Sequence, residues 1–165
     1  MNAGRVMRGA ALAVLVVNAY SAQAQQLDAR FSCSQTRVVD NQSALYADSG
    51  VFRFDGKHIE EFHWESSLFR STHGFECSIA ETDGLQSDVR GDAGNASWRV
   101  SLLDARAARN RRGYDSDHGI NCAIRLEREG DMLHVRPTCP ALCGSRSNFS
   151  ALSVDLKTGS CRYEE

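Results

Sequence analysis

Apolar and polar positions alternate along most of this chain, in short runs broken by turn residues. Phe75, Cys77 and Ile79 interleave with Glu76 and Ser78, the two-residue period of a half-buried strand. Phe31, Cys33, Val38 and Val39 mark a strand over residues 30–39. Val51, Phe52 and Phe54 mark another, ended by Asp55-Gly56, where Gly accepts positive φ without penalty. Residues 59–64 read as a returning strand, or as one helical turn through Ile59, Phe62 and His63; the preceding turn favours strand. Asp83-Gly84 predicts a further turn, and residues 97–103 a further strand. Residues 150–156 and 160–163 flank the short loop Lys157-Thr158-Gly159. Turns at strand spacing predict an all-β fold, a small antiparallel barrel or sandwich.

The clearest hairpin spans residues 121–138. A two-residue loop at Gly130-Asp131 suits a type II′ turn, because Gly stands first. Arg128 then faces Leu133, Leu126 faces Val135, Ile124 faces Pro137 and Cys122 faces Cys139. That face is apolar apart from Arg128. The other carries Glu127 with His134 and Arg125 with Arg136. Counting from the turn makes 122/139 a non-hydrogen-bonded pair, in which side chains approach most closely. A disulfide needs its Cβ atoms within about 4.5 Å, so this register predicts Cys122–Cys139. Pro137 falls where its missing N–H takes nothing from this ladder.

The amino terminus differs in kind. Arg5 and Arg8 precede an apolar run from position 10 to 17, and Ala22-Gln23-Ala24 gives a small-x-small cleavage pattern. The run is shorter than the roughly 20 residues that span a bilayer, so residues 1–24 read as a cleaved secretory signal. Residues 25–165 then form one domain, with no further long apolar segment and no stable membrane insertion expected. Removing Arg5 and Arg8 leaves 17 Lys+Arg against 21 Asp+Glu, a net charge of −4. That balance gives no reason to expect nucleic acid as a partner.

All six cysteines lie in the mature part. An even count in an exported chain predicts three disulfides and a periplasmic or secreted location. With Cys122–Cys139 assigned, Cys143–Cys161 and Cys33–Cys77 are the preferred remaining pairs, and Cys33–Cys161 is the main competitor. The alternative use of cysteine, zinc, lacks its usual spacing, since Cys139 and Cys143 stand alone as a close pair. No cofactor is expected.

Three segments carry candidate chemistry. Residues 143–149 place Gly144, Ser145, Arg146, Ser147, Asn148 and Phe149 directly after a cysteine. A stapled loop has a low entropic cost of ordering. Arg146 could clamp a carboxylate, with Ser145, Ser147 and Asn148 adding hydrogen bonds; a capped turn that satisfies its own backbone is the plainer reading. Residues 104–117 gather Arg106, Arg109, Arg111 and Arg112, in a long loop or a short helix ended by Gly113. Nearby Asp104, Asp115 and Asp117 suit a solvated connection, and the lack of interleaved aromatics makes a poor nucleic-acid platform. His58, His63, Glu65 and His73 could serve acid–base chemistry or bind zinc. On a strand, however, His63 and Glu65 share one face and Trp64 takes the other. Neither HExxH nor GxSxG occurs, and no catalytic residue is assigned.

The Gly144-Ser145-Arg146 stretch, with Phe149 as an aromatic neighbour, resembles the periplasmic and membrane-bound inhibitors of c-type lysozyme. Those are small exported bacterial β proteins with disulfides and a Ser/Gly-containing loop that plugs the lysozyme cleft. Here Cys143-Gly144 stands where that family has Ser-Gly, and the chain is longer with more cysteines. The resemblance implies a non-enzymatic binding module whose partner is a cell-wall hydrolase. A small-ligand-binding barrel, and an envelope enzyme using the His/Glu group, are the alternatives.

Overall fold

The structure is a computed structural model that describes residues 25–39, 41–92, 94–114, 117, 120–139, 142–143 and 148–164. The signal segment assigned to residues 1–24 lies outside them.

Among the described residues, ten strands follow one another in chain order, and every pairing is antiparallel. The first sheet contains β1 (Gln26–Val39), β2 (Gln42–Asp55), β3 (His58–Arg70) and β4 (Gly74–Ala80), in that order. A 3-10 turn at Glu81–Asp83 leads into the second sheet, with β5 (Leu85–Asp92), β6 (Asn95–Leu102), β7 (Ala123–Glu129), β8 (Met132–Pro137), β9 (Leu152–Asp155) and β10 (Cys161–Tyr163). Helix α1 (Ala105–Arg112) lies between β6 and β7. The two sheets do not close into a barrel, and the all-β expectation resolves as a sandwich. Among the described residues, no helix is long and apolar enough to cross a membrane.

Alternation decides what faces inward. Leu27, Ala29, Phe31 and Cys33 of β1 are buried in turn, with exposed residues between them. Phe52 stacks on Phe62 with ring centroids 4.6 Å apart, and Phe54 meets both Phe62 and Trp98. Leu126, Leu133, Val135, Leu152 and Val154 fill the second sheet's inner face. Each fully buried side chain of this size is worth about 1.5–3 kcal/mol relative to exposure. Trp98 Nε1 donates to the carbonyl of Gly56 at 2.9 Å, so one polar atom of the core also ties the sheets together. Gly50 faces Phe31 in the ladder, and the Phe31 ring covers it so closely that a Cβ there would lie 2.6 Å from the ring.

The 121–138 hairpin has the predicted register, from Ile124↔Pro137 to Glu129↔Met132. Gly130 takes φ 60° while Asp131 stays out of the left-handed region, which is the II′ pattern. Thr138 N donates to Ala123 O at 2.8 Å, so Cys122 and Cys139 fall at the next non-hydrogen-bonded step. They are bridged, with Cα atoms 5.7 Å apart. Pro137 also lies beyond the β8–β9 ladder, whose last pair is Val135↔Leu152, so its missing donor is not needed on that side either.

The other two preferred pairings are corrected. The bridges are Cys33–Cys161 and Cys77–Cys143, with Cα separations of 5.5 and 6.2 Å. Cys33 lies on β1 and Cys77 on β4, with β2 and β3 between them. Three strand spacings amount to roughly 14 Å, beyond the reach of a disulfide. The meander instead brings the two edge strands β1 and β10 together, and Cys33–Cys161 joins them. The fifth strand, β5, carries Gly91 and charged residues at three of eight positions, and no turn-bounded apolar run announces it.

Candidate functional site

The loop selected from sequence begins at a root held from two sides. Cys143 is bridged to Cys77 on β4. One residue earlier, the carbonyl of Leu142 accepts from Arg109 Nη2 at 3.0 Å. Arg109 belongs to α1 and is 2% exposed. The helix forms because Asp104 caps it, accepting from Ala107 N at 2.9 Å, and Gly113 ends it at φ 70°. Arg112 then grips the buried carboxylate of Asp83 through two nitrogens, at 2.8 and 2.9 Å. The same Asp83 accepts from Ala80 N at 2.8 Å. The helix is thereby fixed to the end of β4, and Arg109 is placed against the loop root.

The far end of the loop is held by different chemistry. Asn148 Nδ2 donates to the carbonyl of Ser66 at 2.7 Å and to that of Phe75 at 3.3 Å. Phe149 N donates to Ser66 Oγ at 3.0 Å. The Phe149 ring packs edge-on against Trp64, with centroids 4.6 Å apart. Phe149 also takes φ 65°, a left-handed backbone that a bulky side chain rarely adopts. Such a conformation persists where the surroundings over-determine it, and here the ring, the amide and the preceding side chain are all fixed.

Ser66 passes this anchorage inward. Its hydroxyl also bonds to Asp48, which accepts from Trp64 Nε1 at 2.9 Å and from Tyr163 OH at 2.8 Å. Asp48 is 2% exposed. Burial pushes its carboxyl above the usual carboxylate range, against the opposing pull of hydrogen bonds from Tyr163, Ser66 and Trp64. Burial also raises the Tyr163 phenol, reinforced by the adjacent Asp48 charge. One buried carboxyl thus connects the loop's end to the last strand, beside the Cys33–Cys161 bridge.

Of the six residues chosen from sequence, Asn148 and Phe149 are buried and form this anchor. Gly144, Ser145, Arg146 and Ser147 lie outside the described residues. The arginine-rich segment is the helix reading rather than the loop reading. Arg106 lies 3.7 Å from Asp117, as the solvated-connection reading had it, whereas Arg109 and Arg112 turn inward. The His/Glu group is not assembled. His63 and Glu65 share the outer face of β3 at 3.9 Å with Trp64 opposite, but His58 and His73 lie at the two ends of that strand. Among the described residues, no three His, Cys, Asp or Glu side chains gather closely enough to hold a metal. The inter-sheet space that a ligand barrel would leave open is filled by Phe31, Phe52, Phe62, Trp64 and Trp98. Asp48 and Ser66 went unselected because a lone Asp and Ser in strands carry no motif.

Comparison with known protein families, curated proteins and solved structures gives no match. Three disulfides fit an oxidising extracellular or periplasmic environment.

Proposed function

We propose that this is an exported, non-enzymatic binding module, and that residues 144–147 contact a cell-wall hydrolase and block it. What supports the reading is the double anchorage of that segment. Four residues run between Cys143, locked to β4 and α1, and Asn148-Phe149, locked to β3. Residues fixed on both sides of a contact segment need no ordering of their own when a partner binds. Its composition, Gly144-Ser145-Arg146-Ser147, suits insertion into a polar cleft. Arg146 would form a bidentate pair with an active-site carboxylate. Two carboxylates are the usual machinery for cleaving a glycosidic bond, so capturing one would stop the reaction. The resemblance to lysozyme inhibitors rests on these same residues.

The test is hydrolysis of cell-wall substrate by c-type lysozyme, and by an amidase, with and without the oxidised mature domain. Dose-dependent inhibition that is lost in Arg146→Ala supports the reading. No inhibition of either enzyme by the wild-type domain removes it.

A further inference from the structure

The outer face of the second sheet carries a row of charge that the loop does not use. Register places Asp88 of β5, Arg99 of β6, Arg125 of β7 and Arg136 of β8 side by side across four strands. Three guanidinium groups therefore stand on adjacent strands, at roughly 4.8 Å per step. Like charges directly opposite each other destabilise a sheet. Arg136 is relieved by Glu164 at 2.9 Å and by Glu127 at 2.6 Å. Arg99 and Arg125 are exposed, and among the described residues neither side chain makes a hydrogen bond or an ion pair. Asp88 faces Arg99 in the ladder without closing an ion pair.

The row also lies in relief. A depression of about 320 Å³ is lined by Asp88, Arg90, Ser97, Arg99, Arg125 and Glu127. A second, of about 350 Å³, shares Arg125 and Glu127 and extends to Arg136 and Thr138. The two make a shallow track across the strands, with guanidinium groups along its floor and hydroxyls of Ser97 and Thr138 beside it.

We infer that this track binds a linear acidic glycan carrying one carboxylate per sugar unit. The strand spacing is comparable to the length of one pyranose unit, so successive carboxylates would meet Arg99 and Arg125 in turn, with Arg136, already paired to Glu127 and Glu164, closing the end of the track. Guanidinium pairs with carboxylate in bidentate fashion, and the flanking hydroxyls suit sugar hydroxyls. A broad anionic membrane surface fits less well. Asp88 and Glu127 border the row, and the mature chain is net negative. This site is independent of residues 144–147.

The experiment uses the oxidised mature domain and trigalacturonate as the probe, with maltotriose as a neutral trisaccharide and inorganic phosphate as a simple anion. Affinity is measured at low and moderate salt. Trigalacturonate is expected to bind, to weaken as salt rises, and to lose about tenfold or more in Arg99→Gln/Arg125→Gln, which removes both unpaired guanidinium groups. The unliganded double variant should melt at the same temperature or higher, because it removes repulsion. Arg53→Gln, on the outer face of the other sheet, should bind as the wild type does. Absence of trigalacturonate binding, equal binding of maltotriose or phosphate, or undiminished affinity in the double variant would each overturn the inference.

Discussion

Asn148 donates its side-chain amide to the carbonyl of Ser66 at 2.7 Å, across a sequence separation of 82. The bond fixes the exit of residues 144–147 to β3, as Cys77–Cys143 fixes their entry to β4. Asn148→Ala would remove both donations that hold this end of the loop, to the carbonyls of Ser66 and Phe75, a loss of about 1–3 kcal/mol. Urea denaturation should show a lower midpoint with an unchanged slope. Hydrolase affinity should fall as well, although Asn148 itself is buried.

Disulfide connectivity is checked by non-reducing digestion and mass spectrometry. The expected linked peptides join Cys33 to Cys161, Cys77 to Cys143 and Cys122 to Cys139. A peptide joining Cys33 to Cys77 would contradict the strand order of the first sheet.

Two carboxyls, buried Asp48 and half-buried Glu164, respond to pH in opposite senses. Burial pushes Glu164 up, but hydrogen bonds from Ser153, His134 and Arg136 outweigh it and hold the group down at about 2, against an ordinary 4.5. The unfolded chain takes up this proton first, so Glu164 contributes stability above about pH 4.5 that is lost as pH falls towards 2. The contribution is on the order of 1–3 kcal/mol for a partly screened group. For Asp48 the folded state holds the proton more tightly, so stability is lost as pH rises from 3.8 through its raised value. Denaturation midpoints across acid pH should steepen in Asp48→Asn, which removes the opposing term, and flatten in Glu164→Gln.

Tyr163 gives an alkaline counterpart. Its phenol is held well above the ordinary 10.0, first by burial and then by Asp48. Stability linked to it is present below pH 10 and lost as pH rises further. In an ultraviolet titration its phenolate signal should therefore appear only together with unfolding. Tyr163→Phe should remove that component. A Tyr163 signal titrating near pH 10 in the folded protein would rule out the buried Asp48–Tyr163 bond.

Legibility in the sequence followed how local each interaction is. The 121–138 hairpin could be read to the residue because turn, alternation, Pro137 and two cysteines all constrain one register. Cys33–Cys161 could not, because it depends on how far the meander curls before its edges meet. β5 carries no local strand signal, because its outer face holds Asp88, Arg90 and Asp92 and its inner face is only half-buried. Asn148 and Phe149 were selected as contact residues, while their anchoring role depends on Ser66 and Trp64, more than eighty residues earlier in the chain. Nothing local to residues 143–149 identifies those partners. Arg125 and Arg136 were visible as a pair, but Arg99 joined them only once β6 was placed beside β7.

The most direct measurement is lysozyme activity titrated with three forms of the oxidised mature domain: wild type, Arg146→Ala, and Cys77→Ser/Cys143→Ser. The expected result is inhibition by the wild type, its loss in Arg146→Ala with stability unchanged, and a weakened, still measurable inhibition when the clamp at Cys143 is released. Removing that bridge should also lower stability by about 2–4 kcal/mol. Inhibition that is equal in all three forms, or absent from the wild type, would contradict the claim that a clamped 144–147 segment is the binding element.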